Sequence, residues 1–343
     1  MHKHKILAIQ FKYLGDAVFI TPALLALKNQ YPTAEIHLLV STEVAQLFKH
    51  MPWIDRLWTL PHQRGRINFL ASAKNIWQLY NQHFDQSVDF VGNDRGAILS
   101  FLINAKDRLA ATSDKPRILQ RIAYTNKVSA DLLPVSWIAR HLTMLHQAWD
   151  TIIPDQPKMT LYSDSKLVET AKSILQDKTV ICHIGTSQPK KEWSIKSWAE
   201  FYNLAREAGY KLAFSSGTND RERLLLTNLQ QIEPSIFILP VSANLETFLA
   251  ILNQAQLVIV GDTGPLHFAS ALGTKVIGLF GTKDSVSRAA PIYSSNEVLF
   301  GHQCTCLNEL AKLDTCSNIN HCLDSITPQQ VLDLLKIRLP ITN

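Results

Sequence analysis

The chain has 343 residues, 46% of them hydrophobic and 18% charged, and a formal net charge of +5. That length exceeds what one core usually holds, so two domains are expected. No apolar run approaches the roughly 20 residues of a bilayer span, which excludes a membrane-spanning class.

The opening residues are basic, but the first apolar run, Ile6 to Ile9, is interrupted by Gln10 and Lys12. It is too short for a signal peptide, and a cytoplasmic location is expected. Lys5 to Phe11 reads as a first strand, Lys12 to Gly15 as a loop, and the following residues as helical through about Lys28. Pro22 either kinks that helix or begins it with Thr21 as cap. Asp16 falls at the carboxyl end of the strand, where open α/β sheets hold ligands. Ile36 to Val40 and Ile54 to Leu60 read as strands, Thr42 to Lys49 and Phe69 to Asn81 as helices. Ser87 to Val91 is a further strand and Gly96 to Ile103 a helix. A helix is expected from near Pro134 to Asp150, followed by a polar, proline-containing linker over Thr151 to Asp164.

The alternation then restarts. Strands are expected at Thr179 to Ile184, Lys211 to Ser215 and Ile236 to Leu239, and helices at Ile195 to Ala208, Arg221 to Gln231 and Leu245 to Asn253. Thr327-Pro328 opens a terminal helix running to Leu339. Strand–helix alternation of this kind builds parallel sheets flanked by helices, so the expectation is α/β with two Rossmann-like halves, residues 1–160 and 161–343, and a crevice between them.

Leu257 to Gly281 (LVIVGDTGPLHFASALGTKVIGLFG) is the most informative stretch. Two apolar, β-branched runs read as buried parallel strands, and a helix from Pro265 to Leu272 between them is closed by Gly273. Asp262 or Thr263 can cap that helix, Pro265 suits its first turn, and Gly264 admits a bound group close to the backbone. Exposed N–H groups and the positive end of the helix dipole then suit an anion such as a diphosphate. His267, four residues after Thr263, shares that face. The bland alternatives are a capped turn with no ligand and a histidine satisfied in the core. No G-x-G-x-x-G and no P-loop occurs.

The excess positive charge is N-terminal: residues 1–165 hold 18 Lys and Arg against 13 Asp and Glu, and residues 166–343 hold 16 of each. From Arg95 to Arg140 there are eight basic residues against three acidic ones. This segment suits an anionic partner, an acidic sugar or lipid headgroup rather than nucleic acid, for which no recognition motif is present. A merely solvated basic surface is the alternative. Four of the five cysteines, Cys304, Cys306, Cys316 and Cys322, cluster without the spacing of a zinc knuckle. Free thiols are expected in a reducing compartment, with a zinc or iron–sulfur site and a disulfide as alternatives.

Four pieces of the chain, YLGDAVFITPAL (13–24), FDQSVDFVGNDRGAIL (84–99), HIGTSQPKKEW (183–193) and GDTGPLHFASALGTKVIGLFG (261–281), carry a resemblance to glycosyltransferase family 9, the lipopolysaccharide core heptosyltransferases. The likeness spans nearly the whole chain. It implies the GT-B fold, two Rossmann-like domains facing each other across a crevice, the first binding the acceptor and the second the nucleotide sugar. It implies inverting, metal-independent transfer, with no cofactor, of a heptose from ADP-heptose onto the Kdo/heptose inner core of a lipid A acceptor. The enzyme would work at the cytoplasmic face of the inner membrane and touch its anionic surface.

By the same resemblance Asp16 matches the general base, with a helix N-cap as its structural alternative. Lys191 matches the phosphate-facing lysine, with Lys190 as its rival. Thr186 and Ser187 match hydroxyl positions of the same loop. Asp262, Thr263, Gly264 and His267 match the diphosphate and sugar site, and Glu222 the donor ribose, unless it is a plain exposed glutamate. Arg117 and Arg121 are the expected acceptor-binding residues of the basic segment. A catalytically silent scaffold and a nucleotide-sugar epimerase remain alternative functions.

Overall fold

The computed structural model describes residues 3–341 apart from 64–65, 68, 243, 282, 291–296 and 302–321. Its contacts divide the chain into two units, Met1–Tyr162 and Ser163–Asn343.

In the N-terminal unit β1 (Lys5–Gln10) leads into a short α1 (Leu14–Ala17), a 3-10 turn at Val18–Ile20 and α2 (Thr21–Gln30). Pro22 stands at the start of a helix, as in the second reading, but Thr21 does not cap it. The Thr21 hydroxyl donates to the Val18 carbonyl at 2.9 Å instead of capping, and it accepts from the Thr160 N–H at 3.0 Å. Pro22 sits inside the first turn of α2, where its missing N–H costs little. The chain continues through β2 (Glu35–Ser41), α3 (Thr42–Phe48), capped by Ser41, and β3 (Arg56–Leu60). A short antiparallel pair, β4 (His62–Gln63) with β5 (Arg66–Ile67), precedes α4 (Phe69–Tyr80). Then follow β6 (Gln86–Asp89), α5 (Asp94–Ile103), β7 (Asp107–Thr112), α6 (Ile118–Ala123), β8 (Asn126–Ser129) and α7 (Trp137–Trp149).

The sheet order is β3-β2-β1-β6-β7-β8, every pair parallel. β1 and β2 are buried on both faces and read as nearly continuous apolar runs, whereas the equally central β6 is polar in sequence (QSVD) and buries Ser87 and Asp89. Toward the β8 edge the strands are polar (DRLAAT, NKVS), and β7, α6 and β8 have no counterpart among the sequence expectations. The helix expected from Pro134 begins instead at Trp137, after a 3-10 turn at Ala130–Leu132.

The C-terminal unit opens with a 3-10 turn (Ser165–Leu167) and α8 (Val168–Leu175), then β9 (Val180–His183), a 3-10 turn at Pro189–Lys191 and α9 (Ile195–Glu207). It continues with β10 (Leu212–Ser215), α10 (Asp220–Ile232), α11 (Leu245–Gln254), β11 (Leu257–Gly261), α12 (Gly264–Ala271) and β12 (Lys275–Phe280). The last elements are α13 (Lys283–Ala289), β13 (Glu297–Phe300) and α14 (Pro328–Arg338). The sheet order is β10-β9-β11-β12-β13, again all parallel.

The strand expected at Ile236–Leu239 is reduced to one parallel bridge, Phe214 with Ile238. Pro234 and Pro240 bracket it and offer no N–H to lengthen the ladder. Trp193, Trp198, Phe201 and Phe214 form the aromatic centre of the core, to which α14 adds Val331, Leu332 and Leu335. Thr327 opens α14 with a reciprocal cap to Gln330. Cys182 is a free, buried thiol of β9. Cys304, Cys306 and Cys316 lie outside the described residues, and Cys322 begins a 3-10 turn.

Candidate functional site

In the C-terminal unit β9, β10 and β11 are neighbours, so the loops leaving their carboxyl ends share one edge of the sheet. Gly261 ends β11 at a place where a side chain would not fit: a Cβ there would stand 3.0 Å from the Lys191 carbonyl and 3.2 Å from the Thr186 methyl. The absent side chain lets the β9–α9 loop lie against the end of β11. Lys191 thereby reaches Asp262, Nζ to Oδ2 at 2.6 Å, across 71 residues of sequence. Arg221 holds the same loop from behind, donating to the Glu192 carboxylate and the Thr186 carbonyl. Trp193 fixes its exit, with Nε1 donating to the Ile326 carbonyl at 2.9 Å.

Asp262 therefore does not cap α12. Thr263 occupies the N-cap position in an extended conformation but makes no capping side-chain bond. The helix opens with Gly264 and Pro265, and its positive end lies beside a cation that keeps about a third of its side chain exposed. Oriented N–H groups together with an ammonium suit a polyanion. At the other end Gly273, with φ of +84°, closes the helix as expected; Thr274 donates to the Ala269 carbonyl and Gly273 to that of Ser270.

His267, one turn into α12, is buried. Burial pulls its pKa down to about 4, Asp262 works against the shift and Lys191 with it. The ring is thus neutral at physiological pH and coupled to both members of the ion pair. Thr186 is also buried, and its hydroxyl donates to the Gln188 carbonyl at 2.6 Å, which shapes the loop from within. Ser187, next to it, is exposed.

Glu222 is not a plain surface glutamate. It is 7% exposed, accepts from the Gly217 N–H at 2.9 Å and from Asn219, and lies against Gly185 and Gly217. A Cβ on either glycine would fall 2.3 or 2.2 Å from its carboxylate. This side chain joins the β9 and β10 loops.

In the N-terminal unit Asp16 lies in the first turn of α1, whose N-cap position belongs to Tyr13. The capping alternative for Asp16 is thereby removed. Around it stand residues that sequence reading did not single out. Lys12 Nζ sits 4.0 Å from the centre of the Trp137 ring. Burial holds the Lys12 ammonium below its ordinary range, Asp16 opposes that shift and Arg140 adds to it. Trp137 and Arg140 are three apart on α7, a spacing that shares one helix face, and Lys12 follows β1 by two residues; those were the available signals.

Arg117 and Arg121 are both exposed at α6. Arg117 pairs with Asp94 at the start of α5, and Arg121 donates through Nε to the Pro116 carbonyl at 3.1 Å. Several other cations of the basic segment are engaged internally. Arg108 donates to the Ala123 and Ala105 carbonyls, Lys106 pairs with Asp85 at 2.7 Å, and Lys127 donates to the Tyr124 carbonyl.

The model of a family described as "Glycosyltransferase family 9 (heptosyltransferase)" matches residues 73–320. The lipopolysaccharide heptosyltransferase 1 of Campylobacter coli is 23% identical over 347 residues, covering 97% of this chain and 98% of that protein. Among solved structures, the family 9 glycosyl transferase of Veillonella parvula superposes with a TM-score of 0.80 at 19% identity, over 99% of this chain and 98% of that one. The Escherichia coli heptosyltransferase WaaC, solved with ADP, has a TM-score of 0.74 at 17% identity, over 97% and 99% of the two chains. The fold is GT-B, built on two Rossmann-like domains.

Proposed function

The chain belongs to glycosyltransferase family 9, and from that premise we propose that this enzyme is an inverting, metal-independent heptosyltransferase. It takes its sugar from ADP-heptose and places it on the Kdo/heptose inner core of lipopolysaccharide, at the cytoplasmic face of the inner membrane. The observation that carries the reading is the Lys191–Asp262 pair beside the start of α12. Departure of a nucleoside diphosphate leaves growing negative charge, and a fixed cation with oriented N–H groups stabilises it. Asp262 holds Lys191 in place, while the ammonium keeps further donors for the phosphate oxygens. Thr263, Gly264 and His267 complete the diphosphate and sugar contacts, Thr186 and Ser187 belong to the same loop, and Glu222 faces the ribose. That WaaC was solved with ADP supports an adenine nucleotide as donor.

In the N-terminal unit Asp16 accepts the proton of the acceptor hydroxyl as its oxygen attacks the anomeric carbon. The new C–O bond forms as the bond to the diphosphate breaks, and the electron pair leaves with ADP. The Lys12 ammonium acts on Asp16 through its charge, and Arg117 and Arg121 draw the acidic acceptor. The test is incubation with ADP-heptose and a heptose-free Kdo–lipid A acceptor, followed by mass spectrometry of the lipid and measurement of released ADP. A lipid heavier by one heptose, with ADP released only when acceptor is present, is expected. Transfer from a UDP- or GDP-sugar instead would overturn the donor, and release of an altered free sugar without acceptor would overturn the reaction class.

A further inference from the structure

We propose that α6 and the neighbouring segment Ala130–Val135 form a docking surface for an anionic lipid bilayer. The two faces of α6 are both apolar. Leu119 and Ala123 pack inward against Ala97, Ala110 and Tyr124. Ile118 and Ile122, four apart and therefore on one face, are 75% and 57% exposed. The helix cannot roll to hide them. The Tyr124 hydroxyl donates to the buried Asp89 carboxylate at 2.6 Å, and Gln120 donates to the Gly92 carbonyl at 2.9 Å, so both ends of its inner face are tied down.

A second apolar pair stands next to this one. Leu132 is 77% and Val135 60% exposed. Ser129 Oγ donates to the Asp114 carboxylate at 2.7 Å, which sets the chain entering Ala130–Val135 beside the chain entering α6. Four large aliphatic side chains thus stand exposed beyond the carboxyl ends of β7 and β8.

Charge selects the occupant. Between residues 113 and 128 the chain carries Lys115, Arg117, Arg121 and Lys127 against the single carboxylate Asp114. Asp94 neutralises Arg117 in part, and Asp131, beside Leu132, acts on Arg140. Arg121 is engaged by a carbonyl, which leaves its charge uncancelled. Aliphatic side chains ringed by net positive charge match the interface of an anionic membrane, where the first enter the acyl boundary and the second meet phosphates. A protein partner would need a matching apolar groove lined with acids.

The inference rests on the reading that the acceptor is a lipid, but its binding measurement uses neither donor nor acceptor. The full chain is sedimented with vesicles of phosphatidylcholine, with and without phosphatidylglycerol. Binding is expected only to the anionic vesicles, and it weakens as salt rises. Ile118→Ser with Ile122→Ser should lower the partition coefficient by roughly tenfold or more, and Leu132→Ser with Val135→Ser likewise. Both variants should keep the wild-type circular dichroism and turnover on a delipidated acceptor. Arg117→Ala and Arg121→Ala should each cost roughly fivefold in partition at low salt.

Wild-type protein that ignores phosphatidylglycerol, or isoleucine variants that bind as tightly as wild type, would sink the proposal. So would a concentration-dependent dimer that the isoleucine substitutions dissolve, because the face would then belong to a second copy. Intact vesicle binding with no heptosyl transfer would instead discard the functional reading and leave this surface standing.

Discussion

The two units present their chemistry in opposite ways. In the C-terminal unit the charged groups are paired and held in place: Lys191 on Asp262 and Glu222 on the Gly217 N–H, with the buried His267 one turn into α12. In the N-terminal unit the charges around Asp16 are held by rings and by one another, and those of α6 stand in solvent. A site that must stabilise charge as it develops benefits from donors fixed in advance, because no reorganisation is then spent at the moment of reaction. A region that captures a bulky anionic partner works through long-range attraction, for which exposure is an advantage.

The sharpest test of this contrast is Asp16→Ala, which should lower turnover by about 10²- to 10⁴-fold while calorimetric ADP affinity stays at the wild-type value. Retention of near-normal turnover by Asp16→Asn would move the base to another carboxylate. Lys191→Ala should reduce kcat by roughly 10²- to 10³-fold, and here ADP affinity should fall too, since in the proposed reaction the same ammonium meets the nucleotide before and during the chemical step. If ADP bound Lys191→Ala unchanged, the ion pair would be a structural element of the loop, and the role proposed for Lys191 would fail.

A pH titration sharpens the comparison from the side of stability. His141 in the N-terminal unit and His183 and His267 in the C-terminal unit are all held at a pKa of about 4 by burial. Their folded values lie below the ordinary 6.5, so the unfolded chain binds more protons between those limits. Their contribution to stability is complete above pH 6.5 and declines as pH falls toward 4, by roughly 1.4 kcal/mol per pH unit for each histidine that titrates. Denaturant titrations across that range should show the decline, and His267→Gln should make it shallower. A stability that is flat from pH 6.5 to 4 would place these rings in contact with water.

Smaller again is Gly217→Ala. Its Cβ would meet the Glu222 carboxylate at 2.2 Å, so the carboxylate must leave the Gly217 N–H. A loss of about 1–3 kcal/mol is expected by chemical denaturation. The smallest effect belongs to the solvent-facing charges: replacing Arg117 and Arg121 together by Ala should raise the acceptor KM a few-fold, most at low ionic strength, with the donor constant unmoved. An acceptor KM that is unmoved at every salt concentration would leave these arginines to the lipid surface alone.

What was legible in the sequence follows the same division. Strands buried on both faces announce themselves as apolar runs, so β1, β2, β9, β11 and β12 could be placed within a residue or two, and with them the α/β class. The turn after β11 was legible because one short stretch holds strand, glycine, proline and helix together. The elements toward the β8 side of the first sheet were not: β7 and β8 are polar and α6 has six residues, too little for a period to show. The Ile236–Leu239 run had the composition of a strand and lacked the N–H groups to extend one.

The sequence by itself determined the elements and the types of residue available, since propensity, periodicity and capping act within a few residues of each other. Tertiary structure decided the pairings. Lys191 meets Asp262 only because parallel order sets β9 beside β11 and Gly261 leaves room for the loop. Glu222 is buried only because Gly185 and Gly217, 32 residues apart, make space for it, and Lys12, in the loop after β1, finds Trp137 at the start of α7. Contacts between residues distant in sequence depend on strand order and on free volume, and neither is written in any local window.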